Sequence, residues 1–421
     1  MSKSASERLT QLDSLRGMAA ATVVVWHALL AFPPGESLAW RQSHWLFWFT
    51  PVHALFAGGE AVMLFFVLSG FVLALPFWQG PVETRTFVVK RIFRIYPAYW
   101  CAVSLAFLCR WWAGTHGDLP EMSGWFNRIW SNPLTPGFVA HQYLLLGSFE
   151  NGRLIPVVWS LVHEMRISLI FPWLIRIMLQ WRPRSAVLLG LSLFFAGHFG
   201  GLLAWRLLHL EQDYTNTLIY IPVFMVGATL ARYRVELAGR WRQLTRPLKL
   251  LALLGALLAY TYSWSVLPGS RILHLGAIPD MIATTAGCSL FIIAALGSDR
   301  ARAVLCLAPL KGLGALSYSI YLLHTLVLVA LVRLAARAIP PLPLLLLLIP
   351  ITLTGSWVVY HLVEQPCIRL GRRIAHAGLW PLPATTRPRY TRPLSPDDHH
   401  PQPALSPSDS ASHATMVGTK R

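Results

Sequence analysis

Charge is scarce in this chain. Asp, Glu, Lys and Arg supply only 13% of its 421 residues, against about 25% in a soluble globular domain. A water-facing surface is not built at that density. Acidic residues are scarcer still, 18 against 36 Lys and Arg, which leaves a net charge of +18. Cysteine is rare as well. Cys101, Cys109, Cys288, Cys306 and Cys367 lie in or beside the apolar runs, show no metal-type pair spacing and give no sign of a disulfide framework. No cleavable leader is expected. The N-terminus is short and polar, and the first apolar run carries Arg16 and lacks a small-residue cleavage site. No internal repeat is visible.

What the chain does contain is apolar: 55% of residues. They fall into runs near the length that crosses a bilayer core. Ten spans are predicted, roughly 14–32, 55–78, 96–113, 157–180, 185–209, 217–233, 248–267, 279–297, 313–335 and 343–363. A shorter apolar segment at 137–149 is too brief to span. The expected fold is an all-α polytopic membrane protein. The basic residues orient it. With both termini in the cytosol, eighteen Lys and Arg lie in inside segments and five in outside loops. The positive charge therefore reads as topology and contact with anionic lipid, not as a nucleic-acid surface.

Residues 1–375 form the expected membrane domain. From 376 to 421 the composition shifts to Pro, Ser, Thr, Asp and His, which reads as a disordered cytosolic tail. The His399–His400 pair inside it reads as solvated.

Ionisable residues within apolar spans are costly and mark candidate sites. Arg16 and His27 are eleven residues apart, which returns them to one helical face about 16 Å apart along the axis. Asp13 and Arg16 are three apart and can pair at the cytosolic end. His27 lies about 20 Å into its span, deep enough to serve as a general base toward a hydroxyl. Arg91 and Arg94, in KRIFRIYP, share a helical face, and two guanidiniums with one orientation suit phosphate. In PVVWSLVHE, Ser160 and Glu164 are an i, i+4 pair at the start of a span, and His163 beside them is expected to face the interface. Ser69 and Gly70 read as close helix packing. Tyr318, Tyr321 and His324 form a polar strip, and Glu364 ends the last span. These two read as structural polar contacts.

Together, LDSLRGMAAATVVVWH, AVMLFFVLSGF, KRIFRIYP, WSLVHE, LSYSIYLLH and VEQP resemble, in kind and order, the motifs of the acyltransferase 3 family. The resemblance spans about residues 10–370. It implies a ten-helix bacterial cytoplasmic-membrane enzyme without a metal. Such an enzyme moves an acyl group, acetyl in particular, from acyl-CoA to a hydroxyl of a surface glycan or related acceptor. It implies that His27 and Glu164 are catalytic, that Arg16, Arg91 and Arg94 hold the cofactor, and that Trp159 and Ser160 meet the substrate. In that reading Glu164 orients His27 or the acceptor. The chain departs from the pattern at Met63, where an acid is usual and Glu60 is the nearest substitute. It departs again in MRISLIF after Glu164, and in Glu364-Gln365-Pro366, which lacks the usual arginine. The short, polar stretch after 375 is not expected to form the hydrolase-like domain that some members carry. A transporter or flippase is the alternative class, but it predicts broken helices and an inverted repeat, and it leaves Arg91 and Arg94 unexplained.

Overall fold

The structure, a computed structural model, describes residues 9–31, 50–114, 117–146, 152–180, 183–208, 213–262, 277–335 and 341–377. The expected tail after 375 lies outside the described residues but for its first two positions. Among the described residues there is no strand. The helices are α1 (Thr10–Leu30), α2 (Gly58–Gln79), α3 (Thr84–Ala113), α4 (Gly124–Asn127), α5 (Pro136–Tyr143), α6 (Val158–Gln180), α7 (Pro183–Leu208), α8 (Asp213–Arg232), α9 (Arg234–Gln243), α10 (Arg246–Tyr260), α11 (Ala277–Gly297), α12 (Asp299–Leu305), α13 (Ala308–Ala335), α14 (Pro341–Val359) and α15 (Gln365–His376). A single π-helical stretch, Tyr360–Glu364, joins the last two.

Eight of these helices are long and apolar enough to cross a membrane. The other two expected spans are α1, which carries Asp13 and Arg16, and α10, which has 15 residues. The 137–149 segment holds the short α5, as its length requires. The third span begins a dozen residues earlier than its apolar run. α3 is continuous from Thr84, so Arg91 and Arg94 lie on the same helix as the apolar run, as their expected shared face requires.

Burial sorts the helices. α2 is central, with most of its apolar stretch enclosed. α7 presents Val187, Leu188, Leu191, Phe195, Phe199 and Leu203 outward. An exposed apolar face of that extent fits hydrocarbon and not water. In such a solvent there is no hydrophobic drive between helices, so close van der Waals packing holds them together. Two crossings show how. A Cβ on Gly70 would sit 2.1 Å from the Phe224 carbonyl oxygen, and one on Gly227 would sit 2.0 Å from that of Val67. The α2 and α8 backbones therefore touch in both directions. Gly17 and Gly314 do the same for α1 and α13. The second crossing fixes α1, the helix of Arg16 and His27, against the helix of Tyr318, Tyr321 and His324.

The segment after α3 is tied across one end of the bundle. Ser123 Oγ donates to the Leu30 carbonyl at 2.7 Å and accepts from Phe126 N at 3.2 Å, so one side chain caps α1 and starts α4. Arg333 donates to the Ile129 carbonyl at 3.0 Å, and Arg110 donates to that of Asn132. These ties hold Trp125 of α4 over the last turn of α1.

Replacing Gly227 by Leu forces the α2–α8 backbones apart, at a cost of about 1–3 kcal/mol or more. A Cβ on Gly255 meets nothing within 4 Å. The expected result is loss of monodisperse protein after detergent extraction for Gly227→Leu and none for Gly255→Leu. Equal recovery of the two would contradict the packing account.

Candidate active site

Five helices, α1, α2, α3, α6 and α13, converge on a small cleft lined in part by Arg16, Arg94, Ser160, Glu164, Tyr318 and Tyr321. A wider groove between α7, α8 and α11 is almost wholly apolar and lies away from these groups. The chemistry belongs to the smaller cleft.

Its centre is an ion pair. Arg91 Nη2 donates to Glu164 Oε1 at 2.6 Å and to Ser168 Oγ at 3.1 Å, and Arg91 is 8% exposed. Ser69 Oγ donates to the same Glu164 oxygen at 3.3 Å and accepts from Arg16 Nη2 at 2.8 Å. One carboxylate from α6 thus gathers α1, α2 and α3. Ser69 does more than the packing expected of it; Gly70 next to it performs the close approach. Glu164 binds Arg91 directly, reaches Arg16 through Ser69 and makes no hydrogen bond to His27, so in this geometry it orients the arginines instead.

Arg94 differs from its neighbour. Its guanidinium borders the cleft and makes no hydrogen bond or ion pair among the described residues. Arg16 Nε and Arg91 Nε are buried and have no acceptor among them. Three guanidiniums face one carboxylate here. Two more acids lie near the cluster: Asp13, one turn before Arg16 on α1, and Glu364, which is 2% exposed and accepts from Ser319 Oγ at 2.9 Å. Arg94, which borders the cleft and makes no hydrogen bond among the described residues, is the cation most open to an anion.

Further along α1 stands His27. Its Nδ1 lies 3.0 Å from the Val23 carbonyl and 3.1 Å from His324 Nε2. Its ring stacks on Trp125, with centroids 5.3 Å apart and planes at 26°. Tyr321 links the two regions. Its hydroxyl is 2.6 Å from Ser160 Oγ, and its ring is 6.0 Å from that of His324. A continuous column of polar and aromatic groups therefore runs from Arg94 and Arg16 through Glu164, Ser160 and Tyr321 to His324 and His27.

Of the residues singled out in the sequence, Arg16, Arg94, Ser160 and Glu164 line the cleft, with Arg91 behind Glu164 and His27 at the far end of the column. Trp159 does not join them. Its ring lies against His163 and Tyr220, at 6.0 and 6.2 Å. His163 is not at the interface. It is 1% exposed, with Nδ1 3.0 Å from Thr217 Oγ1, because its face of α6 packs on α8. Glu60 lies 3.9 Å from His53 and is not among the cleft residues, so it does not replace the missing acid at Met63. Tyr318 anchors to the Ile95 carbonyl at 2.8 Å, the structural role expected for it. His324 and Tyr321 do more than that. The signal for His324 was present, since it too is an ionisable residue deep in an apolar span.

A helical bundle with a cationic cleft and a histidine pair in its interior defines a polytopic membrane enzyme. The acyltransferase 3 model, described as an acyltransferase domain, matches residues 9–361, and the chain belongs to that family. It is a membrane acyltransferase. Among curated relatives it is 25% identical to BcsY of Komagataeibacter xylinus, whose name describes a membrane-bound transacylase, over 75% of this chain and 72% of that one. It is 28% identical to the exopolysaccharide production protein ExoZ of Rhizobium meliloti (strain 1021), over 78% of this chain and 95% of that one. No solved structure matches.

Removing one partner of the Arg91–Glu164 pair leaves an uncompensated charge inside the bundle, at a cost of about 3–5 kcal/mol. Arg91→Met and Glu164→Leu are each expected to lower the temperature at which the protein aggregates, and the double variant to regain most of the loss. A double variant as unstable as the sum of the two singles would show that the pair does not act as a unit.

Proposed function

We propose that this acyltransferase takes an acyl group, acetyl in particular, from acyl-CoA and esterifies a hydroxyl of a cell-surface polysaccharide from the bacterial cytoplasmic membrane. The observation that carries the reading is the column from a cluster of arginines to a histidine. The excess of basic residues in the loops at the Arg16 end supports a cytosolic position for it, on the side where acyl-CoA is available. His27 then lies at the outer end, where a surface glycan arrives. The names of the transacylase and exopolysaccharide relatives fit this acceptor class.

The residues divide the work. Arg94 takes a CoA phosphate, because its guanidinium is not already committed. Arg16 and Arg91 add charge at fixed positions, held there by Glu164 and Ser69. Ser160 and Tyr321 border the passage for the thioester arm. His27 accepts the proton of the acceptor hydroxyl. The acceptor oxygen bonds to the acyl carbon as the carbon–sulfur bond breaks, and His27 returns the proton to the departing thiolate. Trp125, stacked on His27 at the outer end, presents an aromatic face to a sugar ring.

The test uses purified protein, radiolabelled acetyl-CoA and polysaccharide from cells lacking the protein. Arg94→Ala is expected to raise the KM for acetyl-CoA by about tenfold or more, the loss of one charge-assisted contact of roughly 1.5–3 kcal/mol, with monodispersity unchanged. An unaltered KM would remove Arg94 from donor binding. Acetate transfer to polysaccharide that is no greater than in protein-free vesicles would contradict the donor and acceptor reading.

A further inference from the structure

The proposed acyl transfer uses one histidine, yet two meet at the His27 end of the column. His324 on α13 is 1% exposed, and both its ring nitrogens are spoken for: Nδ1 lies 3.0 Å from the Ile320 carbonyl and Nε2 3.1 Å from His27 Nδ1. A carbonyl only accepts, so Nδ1 of His324 carries the proton. In a neutral ring Nε2 is then a lone pair. A doubly protonated His324 would place a cation inside the apolar bundle, with its second N–H aimed at His27 Nδ1, which already faces the Val23 carbonyl.

The same logic settles His27. Its Nδ1 has two acceptors in reach, the Val23 carbonyl at 3.0 Å and His324 Nε2 at 3.1 Å. Nδ1 therefore carries the proton as a shared donor. The Nε2 lone pair is left for chemistry, and Nε2 makes no hydrogen bond among the described residues. The Val23 contact alone lets the ring rotate about the side-chain bonds. His324 supplies the second point, and Trp125 covers one face of the ring.

We infer that His324 is a positioning residue for the acyl transfer. It fixes the tautomer and ring plane of His27 so that Nε2 meets the acceptor hydroxyl. The inference rests on the reading of His27 as the base. His324 does not serve as the base itself, because its only lone-pair nitrogen is directed at His27. The arrangement does for a histidine–histidine pair what an orienting carboxylate or carbonyl does for a catalytic or metal-bound histidine.

Three variants test it in the assay with acetyl-CoA and polysaccharide from cells lacking the protein. His324→Phe keeps the bulk of the ring and removes the acceptor. His324→Gln offers an amide oxygen near the position of Nε2. The expected result is a kcat lowered about 10–100-fold for His324→Phe with the KM for acetyl-CoA little changed, and substantial recovery in His324→Gln. A merely structural role would lower the yield of monodisperse protein in both and leave the kcat of the surviving fraction intact. Either that outcome, or a His324→Gln enzyme as slow as His324→Phe, overturns the inference. His27→Ala separates it from the reading beneath it. If His27→Ala is inactive while both His324 variants retain full kcat, the base stands and the positioning role falls. If His27→Ala is active, both fall.

Discussion

Arg91 and Glu164 meet at 2.6 Å among helices whose outer faces fit hydrocarbon. Neither charge is tolerable there alone. Their mutual need fixes α3 against α6, and Ser69 extends the same carboxylate to Arg16 on α1. Everything else in the site is arranged around this knot. Because Glu164 is engaged by Arg91 and Ser69, Arg94 is the guanidinium still able to take an anion. Because α1 is anchored at Arg16, the face that carries His27 eleven residues later is set as well. The ion pair stabilises the site less by its own energy than by the cost of separating its members.

The second constraint is close approach. Glycine pairs let α1 meet α13 and α2 meet α8 backbone to backbone. Without the first contact, His27 and His324 would not come within hydrogen-bonding distance. The polar column therefore depends on residues that carry no chemistry. Ser123 and Arg333 act similarly at the far end, where they hold the Trp125 segment over His27.

Much of this was legible in the sequence. Helix positions follow from apolar runs of bilayer length, and the boundaries shifted most where charge interrupts an amphipathic start, as in α3. Arg16, Arg94, Ser160 and Glu164 stood out as ionisable or polar residues in apolar surroundings, and they do share a cleft. The partnerships were not legible. Glu164 and Arg91 are 73 residues apart and His27 and His324 are 297 apart, and periodicity along one helix says nothing of which helix it meets. Trp159 and Ser160 are neighbours in sequence and face different helices, because a step of one residue turns the helix by about 100°. His163 was placed at the surface by its position near a helix start, whereas α8 covers it.

The central claim is that His27 carries out acyl transfer to a surface polysaccharide. The most direct measurement is the ester content of that polysaccharide by proton NMR. It would be taken from cells lacking the protein, complemented with either wild type or His27→Ala at equal membrane levels. The account predicts that an acyl signal is lost on deletion, restored by the wild type and absent with His27→Ala. Restoration by His27→Ala, or an ester content that never changes, would contradict it.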